Sequence, residues 1–241
     1  RNGHFKLFFS TSGDRLRLTD DLMLFGPETR TTWADTAICE YLHYRWNNST
    51  FSYFSDIQQI FHGEYLVLER NEVVRRTKYN NVFWGDTFLK EEPRGDLQTI
   101  LTQAIERNLD PKLPTYVLLS GGVDSAILLA LAKKIDSHLT AITPHHHQHP
   151  NPELGRARLF AQAMGVQHQV LNIDDSEIPD LFKQTTLCIQ QAPRHQSSLS
   201  LYRLLSSLKT PANIIYGEAA DTLFGSRSVK NFRARHQKIC K

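Results

Sequence analysis

Between an apolar run, Tyr116 to Leu119, and a helical stretch, Ser125 to Lys134, lies Ser120-Gly121-Gly122-Val123-Asp124-Ser125. The adjacent glycines let backbone close on an anion with no Cβ in the way. The helix that follows turns its positive end and its unpaired N–H groups on the same spot. The hydroxyls of Ser120 and Ser125 add donors, so the loop suits phosphate. Asp124 repels phosphate unless a divalent cation stands between them, and Mg²⁺ takes one or two carboxylates together with phosphate oxygens. A glycine turn capped by an aspartate is the plainer alternative. The spacing and the lysine of a Walker A loop are absent.

A second loop, Gly217-Glu218-Ala219-Ala220-Asp221-Thr222-Leu223-Phe224-Gly225, follows another apolar run, Asn213 to Tyr216. Alone it reads as a helix cap with Leu223 and Phe224 in a core. Beside the first loop it reads as the other half of one site. If the two strands are neighbours, Asp221 faces Asp124 across a metal–pyrophosphate group.

These loops need strands and helices to hold them. From Asp96 onwards, Leu97, Ile100, Leu101, Ala104 and Ile105 form a helical stripe. Short apolar runs at 116–119, 139–142, 170–173 and 213–216 then alternate with helical patterns at 125–134, 153–164, 177–190 and 197–208. That alternation predicts βαβ units and a parallel sheet, and ligands of such sheets bind at the carboxyl ends of strands. Residues 1–80 read differently. Strand-like runs at 4–10, 15–19, 64–69 and 72–79 are separated by turns, with one helix at 34–44 whose stripe is Ile38, Tyr41 and Leu42. Trp84 to Gly95 reads as a linker.

Composition sets the class. The chain has 241 residues, 40% hydrophobic and 22% charged, which is globular and excludes collagen-like, low-complexity and disulfide-scaffold proteins. With 28 Lys+Arg against 25 Asp+Glu, the net charge of +3 is too mild to mark a nucleic-acid binder. Cys39, Cys188 and Cys240 have no metal or redox spacing and read as reduced thiols of a cytoplasmic protein, Cys39 within a core. No apolar run is long enough for a membrane span. The opening at Arg1, with strand-like sequence from Phe5, points to a start inside a domain.

The string Ser120 to Ser125 resembles the PP-loop, S-G-G-x-D-S, of ATP pyrophosphatases. Together with Gly217-Glu218-Ala219-Ala220-Asp221 it is similar to the synthetase domain of the asparagine synthetase family, where the PP-loop is followed by G-E-G-[AS]-D-E-L-F-G-G. Pro152-Glu153 with Ala157, Ala161 and Gly165, and His168-Gln169-Val170, resemble that family's next helix and strand. The front resembles the later half of its Ntn-type glutaminase domain, through Gly3-His4-Phe5, Arg17 to Asp21 and Phe54 to Tyr65, with His62 in place of a proline.

The resemblance implies an α/β fold: a parallel-sheet, adenine nucleotide α-hydrolase-like PP-loop domain at 96–241 that continues further, preceded by a partial, mainly β Ntn-hydrolase-like domain at 1–83, with a linker at 84–95. It implies ATP and Mg²⁺. Ser120, Gly121, Gly122, Val123, Asp124 and Ser125 would hold the nucleotide with Gly217, Leu118 and Ile142. Asp124 and Asp221 would share Mg²⁺. Glu218 and Asp124 would be catalytic, Glu218 beside the acyl substrate. The expected reaction activates a carboxylate, aspartate by default, as an acyl-adenylate and amidates it with ammonia or another amine.

Departures qualify that expectation. Ala219 stands for a glycine, Thr222 for a glutamate and Ser226-Arg227 for Gly-Tyr, which fits a changed substrate pocket. The family's natural-product branches, β-lactam synthetases and lasso-peptide cyclases, act in this way, the latter on a precursor peptide. The resemblance implies an N-terminal cysteine as the glutaminase nucleophile, and Arg1 is not one: either it lies upstream of this sequence or that domain is inactive. A tRNA-modifying PP-loop enzyme and a non-catalytic nucleotide binder are the alternatives. Nucleic acid is disfavoured as a partner, a membrane is not expected, and a homodimer is left open. His145-His146-His147-Gln148-His149 offers imidazoles without carboxylate or Cys partners and reads as a solvated loop rather than a metal site. Arg194 and His195 read as a polar turn, and the basic tail from Arg227 to Lys241 as a solvated face.

Overall fold

The computed structural model describes residues 6–11, 15–45, 47, 51–61, 63–70, 72–79, 96–146, 148, 152–218 and 220. The linker at 84–95, Ala219, Asp221, Thr222 and the basic tail lie outside these. Packing divides the chain into one unit of residues 1–92 with 180–199 and another of 93–179 with 200–241. Residues 180–199, counted with the second domain from sequence, thus pack with the first.

The first unit is mainly β. Strands β1 (Leu7–Ser10), β2 (Arg17–Thr19) and β3 (Gln58–Ile60) form an antiparallel sheet in the order β2-β1-β3. A hairpin of β4 (Glu64–Glu69) and β5 (Glu72–Lys78) carries a register shift at Val67/Leu68. Phe8, Leu22, Phe25 and Ile57 make its core. Helix α1 (Asp35–Tyr44) buries Ala37. Leu42 and Cys39 both face outwards, correcting the expected stripe and the expected core cysteine. Cys39 lies two residues from Ala37, about 200° round the helix, and so on the opposite side.

The second unit holds the parallel sheet. Its elements are α2 (Leu97–Asn108), β6 (Thr115–Leu118), α3 (Val123–Ile135), β7 (Thr140–His146), α4 (Pro152–Ala163), β8 (Gln167–Ile173) and β9 (Asn213–Ile215). Helices α5 (Ile178–Ile189) and α6 (Gln196–Ser207) lie in the chain between β8 and β9 and run from one unit's residues into the other's. The strands are all parallel, in the order β8-β7-β6-β9. The chain therefore moves outwards from β6 through β7 to β8, then returns to β6's other side. That reversal makes the carboxyl ends of β6 and β9 a topological switch point, where open α/β sheets take ligands.

Register explains which face is covered. Val117 is opposite Ala141, so their side chains share a face, and they join Leu119, Leu129 and Ala132 with Ala157 and Ala161 in one core. Helices α3 and α4 thus cover the Val117 face, and Leu118 and Ile142 point to the other.

Strand β7 runs further than its apolar letters suggest. His145 and His146 pair with Asn172 and Ile173 of β8 and are strand residues, which corrects the expected loop. Pro144 is tolerated because β6 pairs with β7 only as far as Ile142, whose carbonyl accepts from Leu119 N at 2.9 Å. Beyond that point the β6 side of β7 is an edge, and a missing N–H there breaks no ladder.

Candidate active site

The first loop is folded around its own serines. Ser125 is 5% exposed, and its hydroxyl donates to Gly122 O at 3.1 Å while accepting from Ser120 N at 3.2 Å. With its proton so used, Ser125 Oγ is the acceptor in the 3.0 Å contact with Ser120 Oγ. Ser120 Oγ in turn accepts from Gly122 N at 3.3 Å. The hydroxyls expected to meet phosphate therefore brace the loop in this conformation.

Gly121 has φ +81°, and a Cβ there would strike the carbonyl of Glu153 and come within 3.2 Å of Ala157 N. Only glycine lets the loop lie this close to α4. The guanidinium of Arg156 fastens the contact, with Nε donating to Gly121 O at 3.1 Å and the terminal nitrogen paired with Glu153 at 3.2 Å. Arg156 carries no motif that marks it in the sequence. Its one signal was its place in a helix three residues after Glu153.

Helix α3 begins at Gly122, whose lack of a side chain leaves the first turn without a side-chain cap. Such a helix start presents N–H groups and a partial positive charge to an anion. Asp124 sits exposed in that first turn.

The second loop meets the first here. A Cβ built on Gly217 would lie 3.6 Å from Asp124 Cβ, 3.6 Å from Leu128 Cδ1 and 3.8 Å from Ser125 N. The loop after β9 thus lies against the start of α3. Asp124, Gly217 and Glu218 line one cavity of about 720 Å³, whose other walls include Leu97 and Leu101 of α2 and Leu128 and Leu131 of α3. Gly121, Gly122 and Val123 instead line a groove of about 590 Å³ between α3 and α4, with Arg156, Phe160 and Met164. Leu118 is half-buried and Ile142 buried, and neither lines these two hollows. Asp221, the second expected metal ligand, lies outside the described residues.

A third residue pair stiffens the approach to the loop. Thr143, 2% exposed, donates to Leu119 O at 2.6 Å and meets His168 Nε2 at 2.8 Å. The threonine has one proton and gives it to the carbonyl, so His168 Nε2 is the donor. Burial, then the positive charge of Arg158, holds the His168 pKa below its usual value.

Among the described residues no group of three or more His, Cys, Asp or Glu forms a metal cage. A single carboxylate, Asp124, beside a helix start matches Mg²⁺ that arrives with phosphate oxygens rather than a protein-only site. Among the described residues His145 and His146 belong to no such group, and His147 and His149 lie outside those residues.

Comparison with known proteins gives the family context. The sequence model described as Asparagine synthase matches residues 96–239. Curated proteins named 7-cyano-7-deazaguanine synthase match shorter stretches. The one from Syntrophus aciditrophicus is 42% identical over 67 residues, 27% of this chain and 29% of the relative. The one from Polynucleobacter asymbioticus is 37% identical over 75 residues, 30% of each. The match thus spans under a third of these relatives' length. Among solved structures, an NH3-dependent NAD synthetase from Campylobacter jejuni aligns at TM-score 0.37 and 22% identity, over 53% of this chain and 58% of that one. A glutamine-dependent NAD+ synthetase from Acinetobacter baumannii aligns at TM-score 0.37 and 20% identity, over 65% and 34%. No helix among the described residues is long and apolar enough to cross a membrane.

Proposed function

We propose, for a chain that belongs to the asparagine synthase family, that it is a cytoplasmic ATP-dependent ligase that activates a carboxylate as an acyl-adenylate and passes the acyl group to ammonia or an amine. The observation that carries this reading is the approach of Gly217 to Asp124 and Ser125, which joins two loops that are far apart in sequence.

In this reading the start of α3 and the amide of Gly121 receive the phosphates. Mg²⁺ held by Asp124, with Asp221 as its expected second ligand, would offset charge on the phosphate oxygens. The substrate carboxylate attacks the α-phosphorus, the bond to the bridging oxygen breaks, and pyrophosphate leaves with the electron pair. The fixed N–H groups stabilise the charge that develops. An amine then attacks the acyl carbon, AMP leaves, and Glu218 accepts the amine's proton. Arg156 holds the loop's carbonyl side while these steps proceed.

The test is pyrophosphate release from Mg-ATP, beginning with aspartate as the acid and ammonia or glutamine as nitrogen source. Release that depends on an acid and is lost in Asp124→Ala is the expected result. Mg-ATP binding without release under any acid would end the ligase reading. The curated relatives support a second reading, a synthase whose product is 7-cyano-7-deazaguanine. It predicts that this compound appears when the protein is expressed in cells that lack it.

A further inference from the structure

The peptide bond that enters the first loop is held on both of its edges. Its carbonyl, Leu119 O, accepts from Thr143 Oγ1 at 2.6 Å, and its amide, Ser120 N, donates to Ser125 Oγ at 3.2 Å. The carbonyl and the N–H of one trans peptide point in opposite directions, so fixing both fixes the plane from which the loop departs. Leu119, Thr143 and Ser125 are all buried, and losing a partner would leave a polar group unpaired away from water. One residue earlier, Leu119 N closes the sheet on Ile142 O.

This clamp has a remote member. His168 lies on β8, with β7 between it and β6, and stands opposite Ala141 in register. Its Nε2 is 2.8 Å from Thr143 Oγ1. The threonine has one proton to give. Were Nε2 bare, that proton would face two acceptors, Nε2 and Leu119 O, and one of them would go without. A hydrogen on Nε2 satisfies both contacts. Burial, then the charge of Arg158, lowers the His168 pKa, so at neutral pH the ring is uncharged and carries a single N–H. The hydrogen bonds continue past the peptide. Ser125 Oγ, which receives Ser120 N, also meets Ser120 Oγ, and Ser120 Oγ receives Gly122 N. One connected network thus reaches from β8 to the glycines of the loop.

We propose that His168 is a positioning residue for the nucleotide phosphates: by donating from Nε2 to Thr143 it commits the threonine proton to Leu119 O and holds the loop in the conformation that receives them. The proposal rests on the nucleotide-binding part of the ligase reading and names what sets that site from two strands away. His168 acts through Thr143 and the loop.

The test uses the full chain. Long-range nitrogen–proton spectra of the histidine rings at neutral pH should show His168 protonated on Nε2. Protonation on Nδ1 alone overturns the proposal. Calorimetric titration with Mg-AMPPNP then compares three variants. His168→Leu removes the donor, His168→Gln restores an N–H at a similar reach, and Thr143→Val removes the shared hydroxyl. His168→Leu and Thr143→Val should each bind about fivefold more weakly, the size of one net hydrogen bond. Their double variant should bind no more weakly than the weaker single one, because both cut the same chain. His168→Gln should return most of the affinity. A histidine that only stabilises the sheet predicts affinity that follows the melting midpoint from variant to variant, whereas a positioning role predicts affinity that follows the donor. Wild-type affinity in His168→Leu overturns the proposal, and so does His168→Gln binding as weakly as His168→Leu. Where His168→Leu does not fold, the ring spectrum, Thr143→Val and His168→Gln decide. Binding that the variants weaken as expected, with no acid-dependent ATP–pyrophosphate exchange in the wild type, removes the ligase reading and leaves the positioning role standing. A wild type that binds no Mg-AMPPNP removes both.

Discussion

At the scale of single residues, two glycines that look alike in sequence do different work. Gly121 holds a positive φ and touches the α4 backbone, so Gly121→Ala should cost about 1–3 kcal/mol from the left-handed backbone alone, read as a lowered denaturation midpoint. Gly217 has room for a methyl group at ordinary contact distances and an unstrained backbone. Gly217→Ala should melt with the wild type yet weaken Mg-ATP, since the methyl group occupies space between the two loops. Equal loss of stability in both variants would refute this division of roles. Ser125→Ala removes a buried hydroxyl that braces three loop atoms and should cost about 1–3 kcal/mol. His168 supplies a pH signature. Its folded pKa lies below the ordinary histidine value, so the unfolded chain binds the proton more readily. Its share of stability is complete above about pH 6.5 and falls as pH drops through that value toward the lower folded pKa. His168→Asn, compared with wild type in denaturant titrations from pH 7.5 to 5, should flatten that slope. The placing of the first loop between a strand and a helix start was legible because its glycines fall between an apolar run and a helical one. The bracing role of Ser120 and Ser125 was not, since it depends on which atoms the folded loop brings within hydrogen-bond reach.

At the scale of elements, Asn213 ties β9 to the turn before β6. Its amide donates to Asp110 O at 2.8 Å, Leu113 O at 3.3 Å and Thr115 Oγ1 at 3.3 Å, and its oxygen accepts from Asp110 N at 3.0 Å. It is 9% exposed, so Asn213→Leu would remove the side-chain partner of Asp110 N and of Leu113 O, while Asp110 O would keep its bond from Leu113 N at 3.1 Å. That substitution should cost about 2–4 kcal/mol, summing roughly 1–3 kcal/mol per orphaned group with partial relaxation, and should also weaken nucleotide binding by loosening β9 under Gly217. Stability lost with nucleotide affinity intact would show that β9's anchoring does not set the loop. Periodicity located most helices and strands of the second unit within a few residues, because each must bury one face. It stopped short on β7, where His145 and His146 carry no apolar signal and are drawn into the strand by pairing with β8. Strand β3, three residues of mixed polarity, was missed for the same reason: pairing with β1 defines it, and its own letters do not.

At the scale of the whole molecule, each unit has its own buried cluster, one around Phe8, Leu22, Phe25 and Ile57 and one around Val117, Leu129 and Ala141. Calorimetry should resolve two unfolding transitions. Phe25→Ala, at a side chain 1% exposed, should cost the first unit about 3–5 kcal/mol. It should shift one transition and leave the other, together with Mg-ATP binding, in place. A single transition that moves as a whole would contradict independent cores.

The sequence by itself determined the α/β class, the alternation of elements and the loop that ends β6, because periodicity and glycine spacing are local properties of the chain. It also carried the family resemblance that the family match bears out. Only the tertiary structure decided that the loops after β6 and β9 adjoin, since adjacency of parallel strands is set by non-local pairing across the sheet. For the same reason it alone revealed the cavity at Asp124: Leu97 and Leu128 are separated by a helix, a strand and a loop in sequence, and they meet because α2 and α3 pack side by side.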